Sequence, residues 1–138
     1  MYLVRLVHAC HATRELSEAD HLAYLEQRRR LCQENHLTGL LITQSGKYLE
    51  LLEGPRMAVN QAYNGVVRAS GFCNVTLLHF GDAHERLYTD WSAGYLDDDA
   101  LTVPVLLRFG VNDSFQPERM SGEAALGLLR EAALLIEV

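Results

Sequence analysis

The sequence predicts an α+β fold, a ferredoxin-like β-α-β-β-α-β-β sandwich followed by two C-terminal helices. Three observations predict it. Short runs rich in Val and Leu alternate with longer segments of helical period, in that order along the chain. Two of the runs, 37–43 and 47–53, are separated only by Gln44-Ser45-Gly46, a short connection of the hairpin type. The two intervening helical segments are of similar length, the pattern of a split β-α-β unit closed by antiparallel strands.

Each element has its own justification. "YLVRLVHAC" (2–10) is a buried first strand, and the period of two places Tyr2, Val4, Leu6, His8 and Cys10 on one face. Ser17 caps a helix over 17–35, with Asp20 three residues on. Leu22, Leu25 and Cys32 are expected on its inner side. Gly54-Pro55 begins a second helix whose apolar stripe is Val59, Ala62, Tyr63, Val66 and Val67. "NVTLLHF" (74–80) and "LYTDWSAGYL" (87–96) are two further strands. Residues 1–96 are thus a core, and 97–138 a helical extension packed on it. The extension opens with Asp97-Asp98-Asp99 and has a helix over 100–110. An amphipathic helix over 122–137 follows, with Leu126, Leu129 and Ala133 on its stripe.

With 138 residues, 49% of them hydrophobic and 22% charged, the chain suits one globular domain. A net charge of −6 and a single dense basic run, Arg28-Arg29-Arg30, argue against a nucleic-acid partner. On a helix those arginines point three ways, so a solvated face is expected. Cys10, Cys32 and Cys73 form no close-spaced pair. No signal peptide is visible, and no apolar run reaches the roughly 18 residues of a membrane span. The expectation is a soluble cytoplasmic protein with no membrane partner. Nucleophile-elbow, P-loop and dinucleotide motifs are absent, so no enzyme is expected. His11, His21, His36, His79 and His84 show no spacing that suggests chemistry and are expected at the surface or at caps.

Four stretches carry a resemblance: "LVHACHAT" on the first strand, "LTGLL", "YLELLEGP" and "ERLYTDWSAGY". Together and in this order they resemble the BLUF family, flavin-binding sensors of blue light, over roughly residues 2–96. The resemblance implies the same sandwich, with a flavin between the two helices and over the sheet. It also implies a pocket at His8, Leu31, Cys32, Glu50, Trp91 and Ala93. Several of these differ from the family pattern. His8 stands where the family has its photoactive tyrosine, Glu50 where it has glutamine, and Cys32 where it has asparagine. Leu31 precedes that last position, Ala93 replaces a methionine, and Trp91 is kept. Ala69-Ser70-Gly71-Phe72 stands near the family's Asp-x-Arg-His.

An ionised Glu50 offers no N–H donors, whereas an amide offers two. Setting a carboxylate against an electron-rich ring is also costly in desolvation. The implied protein is therefore a regulatory BLUF-like module without the standard photocycle and without a cofactor. It would act through an unidentified protein partner and through copies of itself. The alternative is an FAD-binding photoreceptor with altered photochemistry.

By strand period Glu50 shares a face with Tyr48 and Leu52, while Glu53 faces the other way with Leu49 and Leu51. By analogy with the family, His8, Cys32 and Glu50 converge, with Cys10 alongside. They either satisfy one another, with Glu50 paired to His8 in a filled cavity, or form a ligand site. In that second case the same three are candidate ligands for a metal or haem iron. Trp91 is expected to be a packing residue.

Overall fold

The computed structural model describes residues 2–96, 102–110 and 112–135. The acidic run 97–99 and the end of the last expected helix, 136–137, lie outside the described residues. The elements are β1 (Leu3–Ala12), α1 (Glu18–Glu34), β2 (Thr38–Gln44), β3 (Lys47–Pro55), α2 (Arg56–Arg68), β4 (Phe72–Ala83) and β5 (Trp91–Tyr95). They continue with α3 (Thr102–Phe109), a 3-10 turn (Pro117–Arg119) and α4 (Gly122–Leu135). The strands form one mixed sheet in the order β4-β1-β3-β2-β5. Neighbours among its first four strands are antiparallel, and β5 runs parallel to β2. This is the expected ferredoxin-like α+β fold with an added edge strand and C-terminal helices.

The hairpin turn is tighter than the sequence suggests. Gln44 pairs directly with Lys47, leaving Ser45 (φ 52°) and Gly46 (φ 76°) as a two-residue loop. Two positive φ values in succession are the primed turn that matches strand twist. Gly39 in β2 is needed for close approach, because a Cβ there would collide with the Leu51 carbonyl oxygen of β3.

The sheet is covered on both faces, so β3 is buried from Tyr48 to Gly54, its leucines interrupted by Glu50 and Glu53. On one face Val4, Leu6, Cys10, Leu41, Tyr48 and Leu52 meet Cys32 of α1 and Val59, Ala62 and Val66 of α2. On the other, Val7, Ala9, Leu40, Ile42, Leu49 and Leu51 meet Leu106 of α3 and Ala125, Leu128, Leu129 and Ala132 of α4. The C-terminal helices thus complete the second half of the core.

Several expectations are corrected. The inner face of α1 carries His21, Arg28 and Cys32, and Leu22 is exposed. His21 is therefore no surface residue, and Arg28 no part of a solvated face. Pro55 ends β3, and α2 begins at Arg56. Val67 is half exposed, so the α2 stripe is narrower than expected. The stripe of α4 is centred on Ala125, Leu128, Leu129 and Ala132, with Leu126 and Ala133 at its margins. Strand β4 is longer than expected and meets β1 through two register shifts, at Val7/His8 and Ala9/His11.

Strand β5 starts only at Trp91. The preceding segment instead gives its Leu87 and Tyr88 amides to Glu53 Oε1, each at 2.8 Å. Among the described residues no helix is long and apolar enough to cross a membrane.

Candidate functional site

His8 and Glu50 are directly opposite on β1 and β3. Both point toward α1 and α2, as the strand period predicts. Their side chains meet, with His8 Nε2 2.7 Å from Glu50 Oε1. The third partner is one that sequence reasoning missed. Arg28, from the middle of α1, donates Nη2 to Glu50 Oε1 at 2.6 Å and Nε to Oε2 at 3.0 Å. Trp91 Nε1 donates to Oε2 at 2.9 Å. Four donors therefore surround the carboxylate, two on each oxygen, which fills its acceptor capacity.

Glu50 is 0% exposed. Burial alone would push its carboxyl pKa up. The adjacent Arg28 charge, with the hydrogen bonds from His8 and Arg28, outweighs that and holds it well below the usual carboxylate range. Glu50 is thus an ionised acceptor, and the proton on His8 Nε2 points at it. The other ring nitrogen, Nδ1, is buried without a partner among the described residues. Tyr63 of α2 stands edge-on to the His8 ring at 5.5 Å.

The remaining expected residues are less engaged. Cys32 lies in the same buried layer, and Cys10 beside it. Burial, then the Glu50 charge, pushes both thiols up to about 12. At neutral pH both are therefore held as neutral thiols by their surroundings. No group of three or more His, Cys, Asp or Glu among the described residues could hold a metal ion. Of the three residues considered as ligands for a metal or haem iron, His8, Cys32 and Glu50, the last has both oxygens engaged by protein donors. Leu31 is on the outer part of α1, more than a third exposed. Ala93 is opposite Leu41 on β5 and packs at the edge of this layer. Trp91 does more than pack, because its indole N–H is one of the four donors.

The family resemblance implies a flavin between the two helices, and Arg28 crosses between them. Its guanidinium spans from α1 toward α2, with Nη1 3.4 Å from the Ala62 carbonyl oxygen. What remains open there is a surface cleft of about 300 Å³, lined by Tyr24, Gln27, Leu31, Gly65, Ala69 and Phe72 among others. As they stand, these side chains do not fit a ring over Glu50. A ring placed there would have to displace Arg28 from its carboxylate.

The match to the family model described as sensors of blue-light using FAD runs over residues 3–94. The chain belongs to the BLUF family. Curated relatives include photoactivated adenylate cyclase subunit beta of Euglena gracilis, 29% identical over 106 residues, which are 75% of this chain and 12% of that protein. The chain therefore spans only about an eighth of the length of such relatives. The BLUF fold is also seen in a structure of BlsA in its photo-activated state, with TM-score 0.81, 20% identity, and coverage of 94% of this chain and 93% of that one. A dark-state structure of BlrB, a BLUF protein, superposes with TM-score 0.69 at 19% identity, covering 96% and 97%.

Proposed function

We propose that this chain is a BLUF-type regulatory domain that works without the flavin photocycle and passes its signal through protein contacts, its partner being another protein or further copies of itself. It is not an enzyme in this account, and its three unpaired thiols suit the reducing cytoplasm. One observation carries the proposal. The Glu50 carboxylate, at the position the family resemblance assigns to a flavin-facing glutamine, is saturated by Arg28, His8 and Trp91. The ion pair between Arg28 and Glu50 crosses between α1 and α2, the region where the family resemblance implies a flavin, and supports this reading.

The test is an absorption spectrum of the purified chain, before and after added FAD and blue illumination. The proposal expects no bound flavin band and no light-induced shift. A band with a reversible red shift would sink it. Light scattering after size exclusion, with a partner screen, tests the second half. A monodisperse monomer that captures nothing would reject action through protein contacts.

A second reading is an FAD-binding blue-light photoreceptor with altered photochemistry. The family match over residues 3–94 and the kept Trp91 favour it. The two readings separate on a designed variant. His8→Tyr, Glu50→Gln and Cys32→Asn together still leave Arg28 in the cleft. Adding Arg28→Ser removes both charges of the pair at once, which buried pairs tolerate better than loss of one. The lead proposal expects only the fourfold variant to take up FAD. Uptake by the unaltered chain favours the second reading.

A further inference from the structure

Strand β4 lies at the edge of the sheet and pairs only with β1. Among the described residues it is the one strand with no fully buried residue. Phe80 opposes Leu6, Leu77 opposes His8 and Asp82 opposes Val4, so all three share the face that α2 covers. The extra residue Leu78 keeps Leu77 and Phe80 on the same side. Leu77 is 49% exposed and Phe80 45%. From α2, Arg56 reaches this row, its guanidinium 5.8 Å from the Phe80 ring. Val67 lies three turns further along the same stripe of α2 and is half exposed. On the opposite face α4 starts against the strand, where a Cβ on Gly122 would be 2.6 Å from the Leu78 carbonyl oxygen.

An apolar edge of this kind invites a second strand. Native edges repel such pairing with charge or proline, and residues 72–81 contain no Asp, Glu, Lys, Arg or Pro. The two register shifts twist the edge and break a continuous ladder, which leaves side chains to carry a contact. Charges stand only at the ends of the row. Asp82 is 79% exposed, with Arg56 3.1 Å from one oxygen. Arg68, four residues before Phe72 at the other end, is exposed and makes no ion pair among the described residues. A second copy running antiparallel brings its Arg68 to Asp82 and its Asp82 to Arg68. Leu77, near the middle of the strand, then meets its own counterpart. Such a self-complementary pattern is what a two-fold interface requires.

We propose that the β4 edge is the surface through which two copies of this chain associate, related by a two-fold axis near Leu77. They cover each other's Leu77, Phe80 and Val67 and exchange two Arg68–Asp82 ion pairs. The proposal rests on the reading that the chain acts through copies of itself, and not on the flavin question. The twelve residues of β4 extend about 40 Å and the thirteen of α2 about 20 Å. That strip is smaller than the roughly 800 Å² per partner of a standard interface, so the pair is a weak, reversible dimer.

Sedimentation velocity of the full chain, from micromolar to near-millimolar concentration, tests it. A monomer–dimer equilibrium is expected. Leu77→Glu sets two carboxylates face to face at the axis and should weaken the dimer about tenfold or more. Arg68→Glu and Asp82→Arg should each weaken it, and the double variant should recover part of the loss. Circular dichroism checks that each variant is folded. Should Leu77→Glu not fold, the exposed charge swap carries the test. A dimer that the folded variants leave unchanged overturns the proposal, as does a double variant without recovery. A parent chain that stays monomeric throughout overturns it too. If that monomer still captures another protein, action through protein contacts stands without this surface.

Discussion

Glu50 is held by one cation, one imidazole and one indole, and these are not equal. Removing Arg28 leaves a buried anion with only His8 and Trp91 as donors. Removing the Glu50 charge leaves a buried guanidinium facing an amide. Losing one member of such a pair costs about 3–5 kcal/mol, so Glu50→Gln should lower the urea midpoint sharply at pH 7. The sign of the pH dependence follows from the depressed carboxyl pKa. The stabilisation is present above the ordinary carboxylate value, near pH 4, and is lost as pH falls below it. Urea melts from pH 7 to pH 2 should show a steep acid limb in the parent chain and a shallower one in Glu50→Gln. The thiols give a second check. Cys73 is exposed, while Cys10 and Cys32 are buried with raised pKa values. A thiol-reactive dye should label one cysteine quickly in the native chain and three after unfolding.

The pairing of Glu50 with His8 was legible through the family resemblance, strand period alone giving only the residues that share a face within each strand. Arg28 was not legible. The inner stripe of α1 contains His21 and Arg28, so apolar periodicity pointed to Leu22, about a quarter turn away. The phase of a helix whose buried face is polar cannot be found from hydrophobicity alone.

At the scale of elements, Glu53 does for one segment what Glu50 does for the site. It is fully buried, takes the Leu87 and Tyr88 amides, and is 3.3 Å from Arg5 Nε. Arg86 adds bonds to Thr38 Oγ1 and to the Glu53 carbonyl oxygen. That is why the apolar pattern from Leu87 onward does not continue as strand before Trp91: its donors are taken by a side chain rather than by β2. In Glu53→Ala, hydrogen exchange at the Leu87 and Tyr88 amides should accelerate strongly, while amides between β2 and β3 keep their protection. The hairpin, both long helices and their order were readable from turn residues and caps. Ser17 does accept the Asp20 amide hydrogen bond, at 3.1 Å. The extent of β4 was not readable, because bulges add residues that no period-two pattern reveals.

Across the whole molecule, the C-terminal segment is half of the structure's logic. Leu40, Ile42, Leu49 and Leu51 are at most 1% exposed because α3 and α4 lie on them. Cutting the chain after residue 96 would bare that face. The shortened protein should bind a hydrophobic dye and self-associate, and a folded, dye-negative monomer would refute the packing account. The pattern of residues 122–135 announced an amphipathic helix, but nothing in it says which sheet face it covers.

Strand β3 carries one buried carboxylate toward each side of the sheet. Glu50 faces Arg28, and Glu53 faces the opposite layer with Arg5 and Thr38. Were the strand to pair one residue out of place, every side chain would change sides. Glu50 would then enter the leucine-rich layer beneath α4, several kcal/mol uphill with no cation to meet it. The same two acids that look like liabilities among the leucines thus disfavour the slipped register in the closed, fully packed sheet.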